Sequence, residues 1–288
     1  MHNKIYFRTF FVILAFIAII DNASLKAADS IKLVNSWKLA AGYSNLRIMD
    51  LQASPLKYSS FAFPVQFGFS HQSEKCIWDT DLTINIGGAY STRVRNREIS
   101  IDGVDEEGNP VTYDMSIRNT LVIRTAFNVE YLIRTGTFGN RQFTWYTGAQ
   151  VQEYFIYMFT FSPIVMNQIT VNPKACILYQ FNKKTILYSS LSFSLFGFNS
   201  RMNYSIDPYS ADHGYVHTFF AEGNDFNTLL NFQRLDFSLA AKIRLNERWS
   251  AGLSYHFYWF HHNEFQGLKA YDNSIYVSFY RTLNNKKK

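Results

Sequence analysis

Beyond its first residues the sequence has no run of 18 consecutive apolar residues, the length that a membrane-spanning helix needs. This absence excludes helical membrane spans there. Cysteine is scarce as well, since Cys76 and Cys176 are the only two and lie 100 positions apart. They fall on different predicted strands, too distant for the Cα separation of about 4.4–6.8 Å that a disulfide requires. We therefore expect two free cysteines.

The N-terminus has the pattern of a secretory signal peptide. Lys4 and Arg8 precede an apolar run of 11 residues, Phe10 to Ile20, and a cleavage site follows at Leu25-Lys26-Ala27. We predict a signal peptide over residues 1–27 and one domain over residues 28–288. No cysteine follows the apolar run, so a lipid anchor is disfavoured.

A strong charge of one sign is also missing. Without residues 1–27 the chain has 25 basic and 21 acidic residues. Nucleic-acid-binding proteins concentrate Lys and Arg on one face, whereas here they are scattered apart from a basic tail at Lys286–Lys288. We expect no nucleic-acid partner.

Aromatic residues are abundant, with 27 Phe and 19 Tyr, and they alternate with polar residues. Between positions 235 and 245 the odd positions are apolar, while Arg234, Asp236, Lys242 and Arg244 share the other face. Such alternation predicts a strand with one face in lipid and one in water. The next strand carries Trp249 and Trp259 at the two ends of its apolar face, as membrane-interface girdles do.

Charged residues recur on the inward face of nearly every predicted strand. A dry β-sandwich core excludes such residues, because isolated buried ions cost several kcal/mol each. A hydrated barrel interior accommodates them. The predicted lumen network consists of Lys38, Asp79, Asp81, Arg124, Glu130, Arg234, Asp236, Lys242, Arg244 and His256.

The predicted fold is an all-β transmembrane antiparallel up-and-down barrel of about ten strands, with 8–12 compatible with the pattern. Four short connections alternate with four longer ones, as in outer-membrane barrels. An even strand count places both termini in the periplasm. The predicted strands are 36–47, 58–70, 76–92, 118–134, 141–156, 168–181, 185–199, 228–245, 248–261 and 272–283.

Three local features are less regular. Pro64 lacks a backbone N–H, so we expect a bulge or an irregular hydrogen bond in the second strand, and Pro173 counts against the sixth strand. Residues 95–117 predict a hairpin above the membrane, with Glu106-Glu107-Gly108-Asn109 as its turn. The uncharged stretch 157–167 favours an extension of its flanking strands over a loop folded into the barrel mouth or an apolar patch for a partner.

The segment Gly42-Tyr43-Ser44-Asn45-Leu46-Arg47, followed by Ser54-Pro55-Leu56-Lys57-Tyr58, resembles the first hairpin of small outer-membrane β-barrel proteins common in Bacteroidota. With the signal and the alternating strands, the resemblance covers the whole mature chain. It implies a Gram-negative cell envelope and the barrel fold, and it implies no catalytic residue.

Enzymatic alternatives rest on few residues. Ten strands is the count of the omptin proteases, but Asp79 and Asp81 enter the barrel at the wrong end, and Asp212-His213 lacks the Asp-x-His spacing. Outer-membrane lipid hydrolases use Ser and His, and here Ser254 and His256 are neighbours on one strand face. A lumen histidine in a polar network is the favoured interpretation.

A cluster of possible metal ligands lies in the last two long connections. Imidazole and carboxylate groups could bind zinc there, although no tetrahedral spacing is evident. The cluster comprises His213, His217, Glu222 and Asp225, then His261, His262 and Glu264.

The sequence favours a non-enzymatic barrel without a cofactor. A ten-stranded interior is narrow enough for side chains to fill, so its loops would bind an extracellular ligand or another envelope protein while its wall contacts outer-membrane lipid. The alternatives are an outer-membrane enzyme acting on lipid or peptide and a narrow solute channel.

Overall fold

The computed structural model describes residues 34–51, 56–93, 97–105, 108–117, 120–138, 142–159, 164–201, 219, 224–263 and 267–283. In these ranges no helix is long and apolar enough to cross a membrane. The strands are β1 (Val34–Asp50), β2 (Lys57–Gln72), β3 (Cys76–Ser91), β4 (Arg97–Val104), β5 (Pro110–Ile117), β6 (Thr120–Phe138), β7 (Phe143–Met158), β8 (Ile164–Gln180), β9 (Thr185–Phe193), β10 (Phe196–Arg201), β11 (Asn224–Thr228), β12 (Phe232–Arg244), β13 (Trp249–His262) and β14 (Leu268–Leu283).

The sheet closes on itself, because β1 pairs antiparallel with both β2 and β14 and, on the other side, β8 pairs with β9. Going round the barrel, the wall runs β1-β2-β3-β6-β7-β8-β9-β12-β13-β14. The seventh barrel strand consists of β9 and β10, and the eighth of β11 and β12. The predicted ten-stranded up-and-down barrel is therefore confirmed.

The outer face carries the apolar residues of the alternating pattern. It exposes, among others, Leu39, Phe63, Val65, Phe67, Ile84, Ile86, Phe127, Val151, Leu191 and Val277. Four tryptophans (Trp37, Trp78, Trp145 and Trp249) are exposed near one end of this belt, and Phe69 packs edge-on between Trp37 and Trp78. An apolar belt with aromatic residues at its edge is the exterior of a transmembrane barrel.

The two ends of the barrel differ in their connections. We call one the short-turn end, because the connections there are 73–75, 139–142, 181–184 and 245–248; β1 begins and β14 ends there. The other is the long-loop end, with connections 51–56, 92–119, 159–163, 202–223 and 263–267.

Connection 92–119 contains the predicted hairpin. Strands β4 and β5 pair from Arg97 with Ile117 to Val104 with Pro110, in a sheet separate from the barrel. The Asp105 carboxylate accepts hydrogen bonds from the backbone and side-chain N–H groups of Asn109, and Gly108 has φ +85°, a conformation that favours glycine. The hairpin prediction is confirmed.

The described residues of the uncharged stretch 157–167 extend the flanking strands, as predicted. Strand β7 continues to Met158 and β8 begins at Ile164, so the intervening connection is shorter than expected. The side chains of Met158 and Ile164 are both fully buried. The extension therefore places apolar groups inside the barrel.

Both prolines lie where the strand pairing is irregular. Opposite Pro173 the register of β8 changes by one residue between β9 and β10, leaving Ser194 and Leu195 as a bulge. At Pro64 no bulge forms, but the β1–β2 ladder lacks the pairs between Ala41–Val65 and Ser44–Ala62. Gly42 lies in this gap, where a Cβ atom would come within 1.9 Å of the Ile275 carbonyl oxygen.

The two cysteines are free, as predicted. Cys176 faces the lumen in a buried apolar cluster, whereas Cys76 has the outward parity of Trp78. Because the two lie on opposite faces of the wall, no disulfide joins them.

Candidate functional site: the barrel lumen

Nine of the ten predicted lumen residues line one central cavity of about 260 Å³. Inward parity on the strands brings them together from around the wall. They are Lys38, Asp79, Asp81, Arg124, Glu130, Arg234, Asp236, Lys242 and His256. Arg244 has the same parity but lies beyond the cavity at the short-turn end, where it is exposed and donates a hydrogen bond to the Lys183 carbonyl at 2.8 Å.

Arg124 forms an ion pair across the lumen. Its Nη1 donates to the Asp272 carboxylate at 2.8 Å and its Nη2 to Ser44 Oγ at 2.7 Å, while Ser44 donates to Asp272 at 2.8 Å. The side chain of Arg124 is 1% exposed and that of Asp272 is 5% exposed. Buried charges persist only when paired and hydrogen-bonded, so this triad joins β6, β14 and β1 into one unit.

A second polar unit lies beside the first. Arg234 donates from Nε and Nη2 to the two carboxylate oxygens of Asp236, at 2.8 and 2.9 Å, as a bidentate pair. Its guanidinium also lies over the rings of Tyr154 and Tyr258, 5.5 and 5.2 Å from their centroids. The hydroxyls of these tyrosines hydrogen-bond at 2.5 Å, which joins β7 to β13 across the lumen.

The centre of the cavity carries charges of both signs. Lys174 pairs with Glu130. Asp81 accepts hydrogen bonds from Gln66 Nε2 at 2.6 Å and from Asn128 Nδ2 at 3.0 Å. Three lysines (Lys38, Lys174 and Lys242) therefore face three carboxylates (Asp79, Asp81 and Glu130). This balance of charges favours side chains that neutralise one another over a lumen that selects ions of one sign.

Between this cavity and the long-loop end lies a cluster that we call the apolar plug. Its members come from nine of the ten barrel strands and are at most 6% exposed, so they pack into one buried cluster inside the barrel. They are Leu46, Ile48, Tyr58, Ala89, Val122, Tyr154, Ile156, Met158, Ile164, Met166, Phe232, Phe260, Leu268 and Ala270. A close-packed apolar layer excludes water and ions.

A polar clasp joins strand ends near the plug at the long-loop end. Arg201, at the end of β10, pairs with Asp50, at the end of β1. Its Nη1 lies 3.4 Å from Nδ1 of His262, whose Nε2 lies 2.9 Å from Oδ1 of Asn227. All four side chains are buried. The clasp fixes β10, β11 and β13 against β1.

The short-turn end is filled partly by apolar residues. Ile77, Leu132, Tyr146, Cys176 and Leu178 form a cluster against which Ile186 and Tyr188 pack. Tyr188 reaches across the barrel and donates from its hydroxyl to Gln72 Oε1 at 3.1 Å. Strands β9 and β2 are five positions apart round the wall, so this bond spans the full lumen.

Ser254 and His256 are within hydrogen-bond reach, with Oγ and Nε2 3.2 Å apart. The arrangement meets the distance criterion for a nucleophile and base. However, no carboxylate hydrogen-bonds His256 in the part of the chain that the structure describes; its ring instead packs edge-on against Tyr276. The pair also lies in the central cavity, with the plug between it and the long-loop end.

Most of the candidate metal ligands (His213, His217, Glu222 and Glu264) lie outside the described residues. Of the remaining two histidines, His262 points inward into the clasp, whereas His261 has outward parity and is half-buried. No group of three potential ligands occurs in the ranges described. Because their parities differ, His261 and His262 lie on opposite faces of the wall.

Several lumen residues were not predicted. The predicted last strand begins at Asp272, whereas β14 begins earlier, at Leu268. The inward parity of Asp272 on this strand was the signal that could have identified it as a lumen residue. Arg201 and Asp50 lay outside the predicted strands, and the bulge at 194–195 changes the parity of β10, so alternation alone does not place Arg201 inward.

No protein-family model and no curated protein sequence matches the chain. Among solved structures it is similar to the outer membrane protease OmpT from Escherichia coli (9% identity, TM-score 0.46, covering 90% of this chain and 99% of that one). It is also similar to the β domain of the Bordetella autotransporter BrkA (10% identity, TM-score 0.42, 88% and 100%) and to Neisserial surface protein A (6% identity, TM-score 0.34, 86% and 97%). At these sequence identities and TM-scores, no residue role or activity of those proteins is transferred to this chain.

Proposed function

We propose that this chain is a non-enzymatic outer-membrane barrel with a closed lumen. In this proposal the barrel presents its long connections, including the β4–β5 hairpin, for binding an extracellular ligand or an envelope protein. The observation that carries the proposal is the apolar plug, because residues from nine of ten strands pack into one buried cluster inside the barrel. A barrel built for diffusion leaves its interior polar and open.

The location follows from the exterior. A belt of exposed apolar side chains is stable in lipid and would form an aggregation-prone surface in water. Long connections at one end and short turns at the other match the arrangement of outer-membrane barrels. We therefore orient the long-loop end outward, with both termini and any cleaved signal peptide on the periplasmic side.

Two alternatives remain less well supported. A narrow solute channel gains support from the charged central cavity, but the plug and the cross-lumen bonds interrupt any path through it. An enzyme gains support from the Ser254–His256 contact, but an acid partner and access from the long-loop end are both needed. Neither alternative explains the apolar plug near that end.

The location is tested with protease-cleavable tags in intact cells. We expect a tag in connection 202–223 to be cleaved from outside, and a matched tag in turn 181–184 to be cleaved only after permeabilisation. The barrel should also fractionate with the outer membrane and migrate faster on gels without heating. Recovery in the soluble fraction, or cleavage of the 181–184 tag in intact cells, would contradict the proposal.

Closure is tested separately by swelling of liposomes that contain the refolded barrel. We expect no faster uptake of small sugars or amino acids than in empty liposomes. Rapid swelling in small solutes would replace the closed-barrel proposal with the channel alternative.

A further inference from the structure

The outward residues at the long-loop end include a cluster of cations on neighbouring strands. Lys57 on β2 pairs in register with Met49 on β1, Met49 with Lys269 on β14, and Lys269 with His261 on β13. One register row therefore carries two ammonium groups and an imidazole.

Arg47 extends the row, and Arg93 is exposed just beyond the end of β3, next to Lys57. Arg47 lies two residues from Met49 on the same face of β1. Arg93 follows Thr92, whose backbone N–H and hydroxyl both donate to the Lys57 carbonyl, at 2.8 and 3.2 Å. We call Arg47, Lys57, Arg93, Lys269 and His261 the basic band.

The band has no acidic counterpart in the described ranges. All four ion pairs found there involve lumen residues and none involves these five. Lys57, Arg93 and Lys269 are exposed, and Arg47 Nε is buried without a hydrogen-bond partner. Within the part of the chain that the structure describes, the one side-chain hydrogen bond of Arg47 runs from Nη1 to the Tyr271 hydroxyl, at 3.0 Å.

The aromatic neighbours fix the depth of the band. Arg47 lies over the ring of Tyr271, 5.8 Å from its centroid, and Tyr271 pairs in register with Trp259. Tyrosine and tryptophan rings sit at headgroup depth. Lys57, Lys269 and His261 lie one side-chain row further from the apolar belt, at the level where lipid phosphates lie.

The opposite sector of the same rim is different. On β6, β7, β10 and β11 the outward residues near this end are Leu121, Tyr157, Phe198 and Phe226, all without charge. The cations are therefore concentrated on one side. General solvation of the rim predicts no such asymmetry.

We propose that the basic band binds the headgroup of a lipid that carries more than one phosphate, in the leaflet at the long-loop end. Lys57 and Lys269 are two strand spacings apart, so their backbones are separated by about 10 Å. Two long cationic side chains at this separation can each bind a phosphate, which favours a headgroup with two phosphates over a headgroup with one. Arginine supplies bidentate donors and lysine a point charge, as in phosphate sites generally. The inference rests on the proposed membrane location.

The test is lipid retention measured by native mass spectrometry on the folded full-length barrel. The unaltered protein is released from mixed micelles that contain diphosphoryl lipid A, monophosphoryl lipid A or phosphatidylglycerol. We expect retention of diphosphoryl lipid A to exceed that of each other lipid at least fivefold and to fall as salt is raised. Equal retention of the three lipids would overturn the proposal.

The site is tested with a triple variant, Lys57→Gln/Arg93→Gln/Lys269→Gln. Its matched control is Lys183→Gln/Lys184→Gln/Arg248→Gln, which removes three exposed cations at the short-turn end. We expect the first variant to lose most of the retained diphosphoryl lipid and the control to keep it. Equal losses in the two variants would mean that net charge, rather than the band, retains the lipid, and the proposal would be wrong.

Folding and membrane residence are scored independently, by the heat-dependent gel shift and by fractionation. If the band variant lacks the shift, the comparison is made with the single variant Lys269→Gln, which alters one exposed side chain. Loss of membrane residence in the unaltered protein would overturn the proposed function itself. Normal residence without preferential retention would overturn only the lipid site.

Discussion

The central cavity and the apolar plug occupy neighbouring lengths of one lumen and are built from the same inward strand positions, yet their chemistry is opposite. The cavity holds charged and amide side chains, whereas the plug holds close-packed apolar groups. A polar lumen can admit water between its groups, but a close-packed apolar layer has no partners to offer a permeating solute. The difference teaches that, in the proposed function, closure rests on the plug and not on the charged network.

The largest expected effect comes from breaking the buried pair between the two regions. Asp272→Ala leaves Arg124 charged and almost fully buried without its carboxylate, so we expect the unfolding free energy to fall by about 3–5 kcal/mol. Urea unfolding of the refolded barrel in detergent micelles measures this loss. Lys57→Gln, on the exposed rim, is the control and should change stability by less than about 0.5 kcal/mol.

If Asp272→Ala has no effect, the ion pair does not hold β6 to β14. The double variant Arg124→Met/Asp272→Leu sharpens the test, because it removes both charges together. We expect it to be more stable than Asp272→Ala alone.

A smaller loss is expected from truncation in the plug. Ile156→Ala removes buried methyl groups at a site with no exposed surface, and we expect a cost of about 2–5 kcal/mol. The same change at Ile86, which is 55% exposed on the outer face, is the matched control. Equal costs at the two sites, measured by the same urea unfolding, would show that the plug is no better packed than the lipid-facing wall.

The smallest effect is expected in the central cavity. Lys242 contacts the ring of Tyr280, with Nζ 4.1 Å from its centroid, and no carboxylate pairs with it in the described ranges. Lys242→Met should therefore cost about 0.5–2 kcal/mol, the value of a cation–π contact. Lys174→Met, which leaves Glu130 unpaired, should cost more, and the reverse order would contradict the charge assignment.

Alternation along the sequence predicted the ten strands, and nine of the ten residues that it assigns to the lumen line the central cavity. It could do so because side-chain direction on a strand depends only on parity. The pairing of Arg124 with Asp272 could not be predicted, because the two residues lie on strands far apart in sequence. Which side chains meet across the lumen depends on the register in which the sheet closes.

The plug was missed for a different reason. Around Ile156 and Met158 both parities are apolar, so the alternating signal disappears. This stretch was correctly predicted as strand, but a run that is apolar on both faces also indicates a dry interior. Arg201 was missed because one bulged residue exchanges the inward and outward faces of β10.

The central claim is that the plug closes the barrel, and single-channel recording in planar bilayers tests it most directly. We predict no open-channel steps from the unaltered protein and clear steps from the variant Ile156→Ala/Met158→Ala/Phe260→Ala, with the heat-dependent gel shift confirming that the variant folds. The exterior variant Ile84→Ala/Ile86→Ala/Val277→Ala should remain silent. Large sustained steps from the unaltered protein, or silence from a folded plug variant, would contradict the account.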